Sequence, residues 1–265
     1  MAEIPATLVK QLRDETGAGM MDSKRALQET EGDLAAAKRL LRERGMAEAG
    51  KRAGRETTEG VVLARVDERV GTLVAVGCET EPVAKNAEFL TFAQKVLDAV
   101  AQEGPDAVER LEEERKELVG KIGENVVVRG AARFEKEDDD EVLAAYVHPP
   151  ANKIGVLVRV KGPAEVARLL AMHIAFAAPL YAHRDEISEE DLATELEILE
   201  KLPEVQSRPE EHREKIVEGM LSKRFFGQAV LPDQEWIHDT GKTVDKALEE
   251  HELEVLEYER YALAG

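Results

Sequence analysis

The chain has 265 residues, 43% of them hydrophobic and 34% charged, with a formal net charge of −19. That length fits about two domains of ~100–200 residues, and the hydrophobic share is enough for real cores. It has no apolar run near the ~18–20 residues of a membrane span, no signal-peptide pattern over its first ten residues, and one cysteine, Cys78, which excludes an internal disulfide framework; a cytoplasmic protein with no membrane partner is expected.

The first 45 residues read as three short helices. Pro5 opens the first at a position where a missing N–H costs nothing, and Leu8, Val9 and Leu12 form its apolar face. Thr16 to Gly19 breaks it, Met20 to Thr30 resumes the helical pattern, and Gly32-Asp33 caps a third helix expected to end at Gly45. Residues 46–57 read as a linker. This N-terminal part, residues 1–56, carries eleven Lys/Arg against ten Asp/Glu, so the rest of the chain is close to −20. A body so acidic is repelled by phosphate backbones, and 4% aromatics gives no stacking platform, so no direct nucleic-acid partner is expected.

Strand patterns follow. Val61 to Val66 and Thr72 to Val76 form a hairpin around Asp67-Glu68-Arg69. Helices are predicted from Val83 to Ala101 and from Pro105 to Ile122, then a strand from Asn125 to Arg129. The seven consecutive charges Glu135 to Glu141 predict an exposed connection. Val70 to Val76 then resembles Ile154 to Val160, an internal repeat of a β-β-α-α-β unit. The fold class is therefore α+β, with subdomains at 57–141 and at 142–187 plus 227–265. Residues 188–226 insert into the second as a projecting, charged antiparallel helical hairpin with a Leu192, Leu196, Leu199 stripe; Ile216, Met220 and Leu221 return on its second helix. Thr243 caps a last helix, and Leu253 to Leu263 ends as a strand.

Catalytic chemistry is hard to place on this chain. Gly241-Lys242-Thr243 resembles the end of a phosphate loop, but Trp236 stands where such a loop needs glycine, so a helix cap is the better reading. The six histidines show no metal-ligand spacing. His173, among Ala171, Met172, Ile174 and Phe176, fits a satisfied core position, while His148 beside Pro149-Pro150 is better placed for a contact. Cys78 lacks a basic neighbour to activate it. No cofactor, metal or enzymatic activity is expected.

Two segments carry a resemblance to a known family. Leu8 to Lys24, with Thr16-Gly17-Ala18-Gly19-Met20-Met21-Asp22, and Cys78-Glu79-Thr80-Glu81-Pro82-Val83-Ala84-Lys85-Asn86 are similar to the two signatures of the elongation factor Ts family. Lys121 to Asn125, Ala171-Met172-His173 and Lys215 to Met220 follow in the family's order. The resemblance implies a ubiquitin-associated (UBA)-like three-helix module, two related α+β subdomains and the inserted hairpin. It implies a nucleotide-exchange factor that binds elongation factor Tu, both GDP-bound and nucleotide-free, and promotes GDP release. Arg13, Met20, Met21 and Lys24 would contact the partner, with Val126 and His148 as further contacts. Thr80, Glu81, Pro82 and Val83 would approach its Mg²⁺ site. Here the chain departs from the family, which usually has Asp-Phe where this sequence has Glu81-Pro82, so the aromatic wedge is lost. The hairpin is the candidate surface for a homodimer, and an additional C-terminal helix found in some members is not expected after Leu263. A competing reading is an acidic scaffold whose three helices grip another partner; it leaves residues 58–265 unexplained.

Overall fold

The computed structural model describes residues 4–263, the side chain of Glu48 excepted; the outermost residues of the expected terminal segments lie outside it. The chain opens with three helices, α1 (Ala6–Thr16), α2 (Met20–Glu29) and α3 (Leu34–Arg52). Gly17 ends α1 in the left-handed conformation (φ 71°) and its N–H donates to the Arg13 carbonyl at 2.7 Å, a closure for which glycine is the natural residue. Asp33 starts α3 by accepting from the N–H groups of Ala35 and Ala36 at 2.9 and 3.0 Å. The three helices bury Val9, Leu12, Ala26, Leu27 and Ala37 between them.

Gly45 does not end the third helix, contrary to the sequence expectation. The helix runs on to Arg52, and the linker shrinks to the few residues before the first strand. The glycine serves a close crossing with α6 (Glu112–Ile122): a Cβ on Gly120 would lie 2.6 Å from the Gly45 Cα. Glycine here removes the side chain that would hold two helix backbones apart, so its meaning is packing rather than termination. Arg42 pairs with Glu117 at 2.6 Å beside the crossing, and Ala49 reaches into the core of the next unit.

That unit contains β1 (Glu59–Val66), β2 (Val70–Cys78) and β3 (Val126–Glu135) in an antiparallel sheet of order β1-β2-β3. Between β2 and β3 come a single helical turn, α4 (Glu81–Ala84), the long α5 (Ala87–Glu103), a 3₁₀ segment (Pro105–Leu111) and α6. Asn86 caps α5, and Phe89, Phe92, Val96, Leu97 and Val100 recur at helical spacing to face Val74 and Val76 of the sheet.

The second sheet has order β4-β5-β6, from β4 (Glu141–Val147), β5 (Ile154–Lys161) and β6 (Glu254–Ala262). Its outer face is covered by α7 (Ala164–Ala177) and, later in the chain, α12 (Val244–Glu250). The two repeat segments occupy the central strands β2 and β5. Both ladders shift register at the same aligned position, between Ala75 and Val76 and between Arg159 and Val160. Their glycines also exchange roles across the sheet interface. A Cβ on Gly71 would meet the Leu157 side chain at 2.7 Å, and one on Gly155 would meet Val62 at 2.5 Å and Leu73 at 3.1 Å. Each glycine makes room for the other sheet, so Val62, Leu73, Ala75, Leu157 and Leu263 form a core between the sheets.

One residue of the expected exposed charge run is enclosed. Glu141 is 3% exposed, and its carboxylate lies 3.0 Å from the Arg159 guanidinium while accepting from the Glu137 N–H at 2.9 Å. A buried carboxylate is tolerated when it is paired and hydrogen-bonded in this way. The preceding Lys136 to Asp140 connect the sheets.

The inserted segment contains α8 (Glu189–Glu200), α9 (Pro203–Gln206), α10 (Glu210–Met220), a π-helical turn (Leu221–Phe226) and α11 (Gly227–Ala229). Ser188 caps α8, accepting from the Asp191 N–H at 3.0 Å. Leu199, Val205 and Val217 form a small core, flanked by Leu196, Leu202, Ile216, Met220 and Leu221. At its base Arg184 lies 4.5 Å above the Phe226 ring and bonds Asp233 at 2.7 Å. Among the described residues no helix is long and apolar enough to cross a membrane.

Candidate binding site

Met20 and Met21 begin α2 directly after the Gly17–Gly19 turn. Their side chains are 47% and 63% exposed, so they do not serve as packing between the three helices. Arg13 and Lys24 are exposed on the same helical unit. Two adjacent thioethers at an exposed turn offer an adaptable apolar contact.

The second element begins where β2 ends. Cys78 is fully buried, and burial pushes its thiol up to about 12, so it is an inert strand-end residue. Glu79 accepts from the Asn125 N–H at 2.6 Å and pairs with Arg55 at 3.3 Å, tying strand end, β3 and the end of the N-terminal unit together. Thr80 then turns outward. Its N–H and hydroxyl donate to the two oxygens of Glu124 at 3.0 and 2.6 Å. Glu81 and Pro82 are exposed and Val83 half-buried, in the helical turn α4. Lys85 bonds Glu81 at 2.6 Å and holds its carboxyl below the usual range. Thr80 to Val83 is thus an outward turn on a fixed base.

A chain of contacts joins the two elements. Gly17 lies against the Lys121 side chain, at 3.2 Å from Cε to the position of a Cβ. Lys121 reaches Glu88 at the start of α5 at 3.6 Å, and three residues beyond Lys121 comes Glu124, which holds Thr80. The α3–α6 crossing therefore sets the position of Met20 and Met21 relative to Thr80–Val83.

His148, exposed at the end of β4, accepts or donates at Nδ1 with the Tyr146 hydroxyl at 2.9 Å. It opens a loop containing the cis Pro149-Pro150 bond. That loop is stitched to β1, since Val62 N–H donates to the Asn152 carbonyl at 2.7 Å and Lys153 bonds Glu59 at 2.7 Å. Val126 is different: it is fully buried in the core of the first sheet. Its side chain is enclosed rather than presented at the surface, because the residue begins β3 facing α5 and α6; its carbonyl accepts from Arg115 at 2.6 Å. Sequence reasoning singled out Thr80 to Val83 but missed Glu79 and Glu124 as their supports. Glu124 stood in the Lys121–Asn125 motif, the one signal that could have drawn attention to it.

The other sequence candidates resolve into packing. His173 is fully buried, with Nδ1 accepting from the Ile237 N–H at 3.4 Å. Its Nε2 therefore carries the proton and donates to Gln234 Oε1 at 2.9 Å, and its ring stacks on Trp236 at 5.1 Å. Lys242 is engaged by Glu250 at 2.5 Å and Asp239 at 3.3 Å, while Thr243 caps α12. Among the described residues, no group of three or more His, Cys, Asp or Glu could hold a metal ion.

Residues 79–265 match the family model for elongation factor TS, which places this mixed α+β chain, with its two antiparallel sheets, among the translation elongation factors. Over 266 aligned positions the chain is 40% identical to elongation factor Ts of Escherichia coli (strain K12 / DH10B), covering 98% of this chain and 92% of that one. The same figures hold for elongation factor Ts of Shigella boydii serotype 18 (strain CDC 3083-94 / BS512), 40% identity with 98% and 92% coverage. The chain belongs to the elongation factor Ts family.

Proposed function

We propose that this protein is a nucleotide-exchange factor for elongation factor Tu, acting through protein–protein contact with no catalytic residue, cofactor or metal of its own. The observation that carries the reading is the outward turn Thr80–Val83, braced by Glu124 and linked through Lys121 to the exposed Met20-Met21 pair. In this reading the helices α1–α3 are the UBA-like module, and the two sheets with their helices are the two related subdomains. Arg13, Met20, Met21 and Lys24 grip the nucleotide-binding domain of the partner, and His148 adds a contact from the other sheet. The braced turn then presses toward the partner's Mg²⁺ site.

The physics is linkage. A protein that binds the empty partner more tightly than the GDP-bound one must weaken GDP affinity by the same factor. Mg²⁺ requires near-ideal oxygen geometry and bridges the phosphates, so a small displacement of its ligands weakens GDP strongly. A turn can exert that displacement only if it does not yield, which is the role we assign to Glu79 and Glu124. Pro82 is rigid but much smaller than phenylalanine, so in this chain the turn wedges less and the remaining contacts carry more of the effect. The cytosol, where this partner works, is the corresponding location.

Release of a fluorescent GDP analogue from elongation factor Tu, with Mg²⁺ present, tests the reading. Sub-stoichiometric protein should accelerate release by orders of magnitude. A folded protein that leaves the rate unchanged would sink it and return attention to the acidic-scaffold reading.

A further inference from the structure

A cavity of about 560 Å³ opens at the seam between the sheets, lined by Thr57, Thr58, Arg129, Arg260, Tyr261 and Leu263 among others and by none of the proposed exchange residues. Its two arginines come from different sheets, Arg129 from β3 and Arg260 from β6. Tyr261 closes the seam: a Cβ on Gly130 would meet its ring at 2.5 Å, so the ring lies directly on the β3 backbone.

Neither guanidinium has a carboxylate partner among the described residues, in a chain with 55 Asp and Glu. Arg129 donates Nε and Nη2 to the hydroxyl and carbonyl of Thr57, each at 3.0 Å. Arg260 donates Nε and Nη2 to the Ala175 carbonyl at 3.3 Å. Among the described residues neither has an ion-pair partner and neither Nη1 group has an acceptor. Strand arginines nearby behave otherwise, since Arg133 meets Glu135 at 2.9 Å and Arg159 meets Glu141 at 3.0 Å and Glu257 at 2.6 Å. Burial alone lowers the Arg260 guanidinium from its ordinary value, with no anion acting to raise it. It stays charged, because arginine does not deprotonate in proteins.

Arg129 is exposed and Arg260 half-buried, and both side chains line the one cavity, so an anion seated there would meet two positive charges. Arginine's fixed fork of donors suits oxyanions. The free N–H groups of two forks together with the Thr58 hydroxyl exceed the about four lone-pair sites of a single carboxylate, and match the three or more oxygens of a phosphate group. The geometry points to a binding site at this seam for the phosphate group of a small molecule, held between Arg129 and Arg260. The protein's overall negative field does not forbid it, because charges beyond about 8 Å are largely screened at physiological salt. The site stands independently of the exchange reading and shares none of its residues.

Calorimetric titration of the full chain with inorganic phosphate, at fixed ionic strength maintained with chloride, tests the inference. One saturable site with a dissociation constant on the order of 1 mM or tighter is expected from two charge-assisted contacts. Arg129→Gln and Arg260→Gln should each weaken it at least about tenfold. Because these arginines also hold Thr57 and α7, Ala262→Glu is the decisive variant. Ala262 is exposed on the cavity rim, and a carboxylate there should occupy the guanidiniums and abolish phosphate binding without lowering the melting temperature. Absence of saturation, acetate binding as tightly as phosphate, or undiminished binding by a folded Ala262→Glu protein would each overturn the assignment.

Discussion

Replacing Gly120 by alanine puts the helix crossing to a quantitative test. The new Cβ would lie 2.6 Å from the Gly45 Cα and 3.1 Å from its carbonyl carbon, both backbone atoms that no rotamer change can move. Carbon atoms pack at about 3.5–4.0 Å, so α3 and α6 must separate by about 1 Å. Overpacking of this kind costs about 1–3 kcal/mol. Alanine's better helix propensity returns about 1 kcal/mol, leaving a net loss of up to about 2 kcal/mol. For a chain of this size that lowers the melting temperature by up to about 8 °C. Gly219, in α10, is the internal control, since a Cβ there meets nothing within 4 Å. Gly219→Ala should raise stability by about 1 kcal/mol through propensity alone. Thermal unfolding of the two variants, together with GDP release, reads both consequences. Gly120→Ala should melt lower and exchange more slowly, because Met20 and Met21 shift relative to Thr80. A Gly120→Ala protein stabilised as much as Gly219→Ala would refute the close crossing and the positional argument built on it.

Three further outcomes follow from the same structure. Cys78, buried with its thiol pushed up to about 12, should resist a thiol reagent at pH 8 in the native protein and react fully in denaturant; rapid native labelling would contradict the packing of the β2 end. His173 is held neutral chiefly by burial, opposed by its bond to Gln234 and assisted by the nearby His238, so its folded pKa lies below its unfolded one. The unfolded chain then binds more protons as pH falls through about 6.5, and stability should decline below that pH by at most about 1.4 kcal/mol per unit from this residue. Denaturation at pH 7 and pH 5 should show that slope reduced in His173→Gln; an unchanged slope would clear the residue. Pro82→Phe restores bulk at an exposed position and should accelerate GDP release without altering the melting temperature, whereas equal release rates would mean the turn does not act as a wedge.

Much of this architecture was legible in the chain because local chemistry and tertiary packing agree there. The Gly17 stop, the Asp33 and Thr243 caps and the duplicated Val70 and Ile154 segments are local features, and each folds as its pattern predicts. Gly45 misled because a glycine that ends a helix and one that admits a crossing helix look alike until the partner, Gly120, is in place. Glu141 closes a run of seven charges that predicts exposure, yet Arg159, eighteen positions on, draws it inside. Val126 is a contact only by family resemblance, and the sheet shows that its side chain points into the core. The braces of the exposed turn, Glu79 and Glu124, escaped notice for the same reason: carboxylates are common in so acidic a sequence, and nothing local distinguishes the two that hold Thr80 and Asn125.

An exchange factor must discriminate between two states of its partner. Its affinity for elongation factor Tu should therefore be measured twice, on the nucleotide-free and on the GDP-bound form, alongside GDP affinity with and without the protein. Much tighter binding to the empty form is expected, with the ratio equal to the factor by which GDP is weakened. Equal affinity for the two forms would contradict it, because a ligand that does not distinguish two states cannot shift the balance between them.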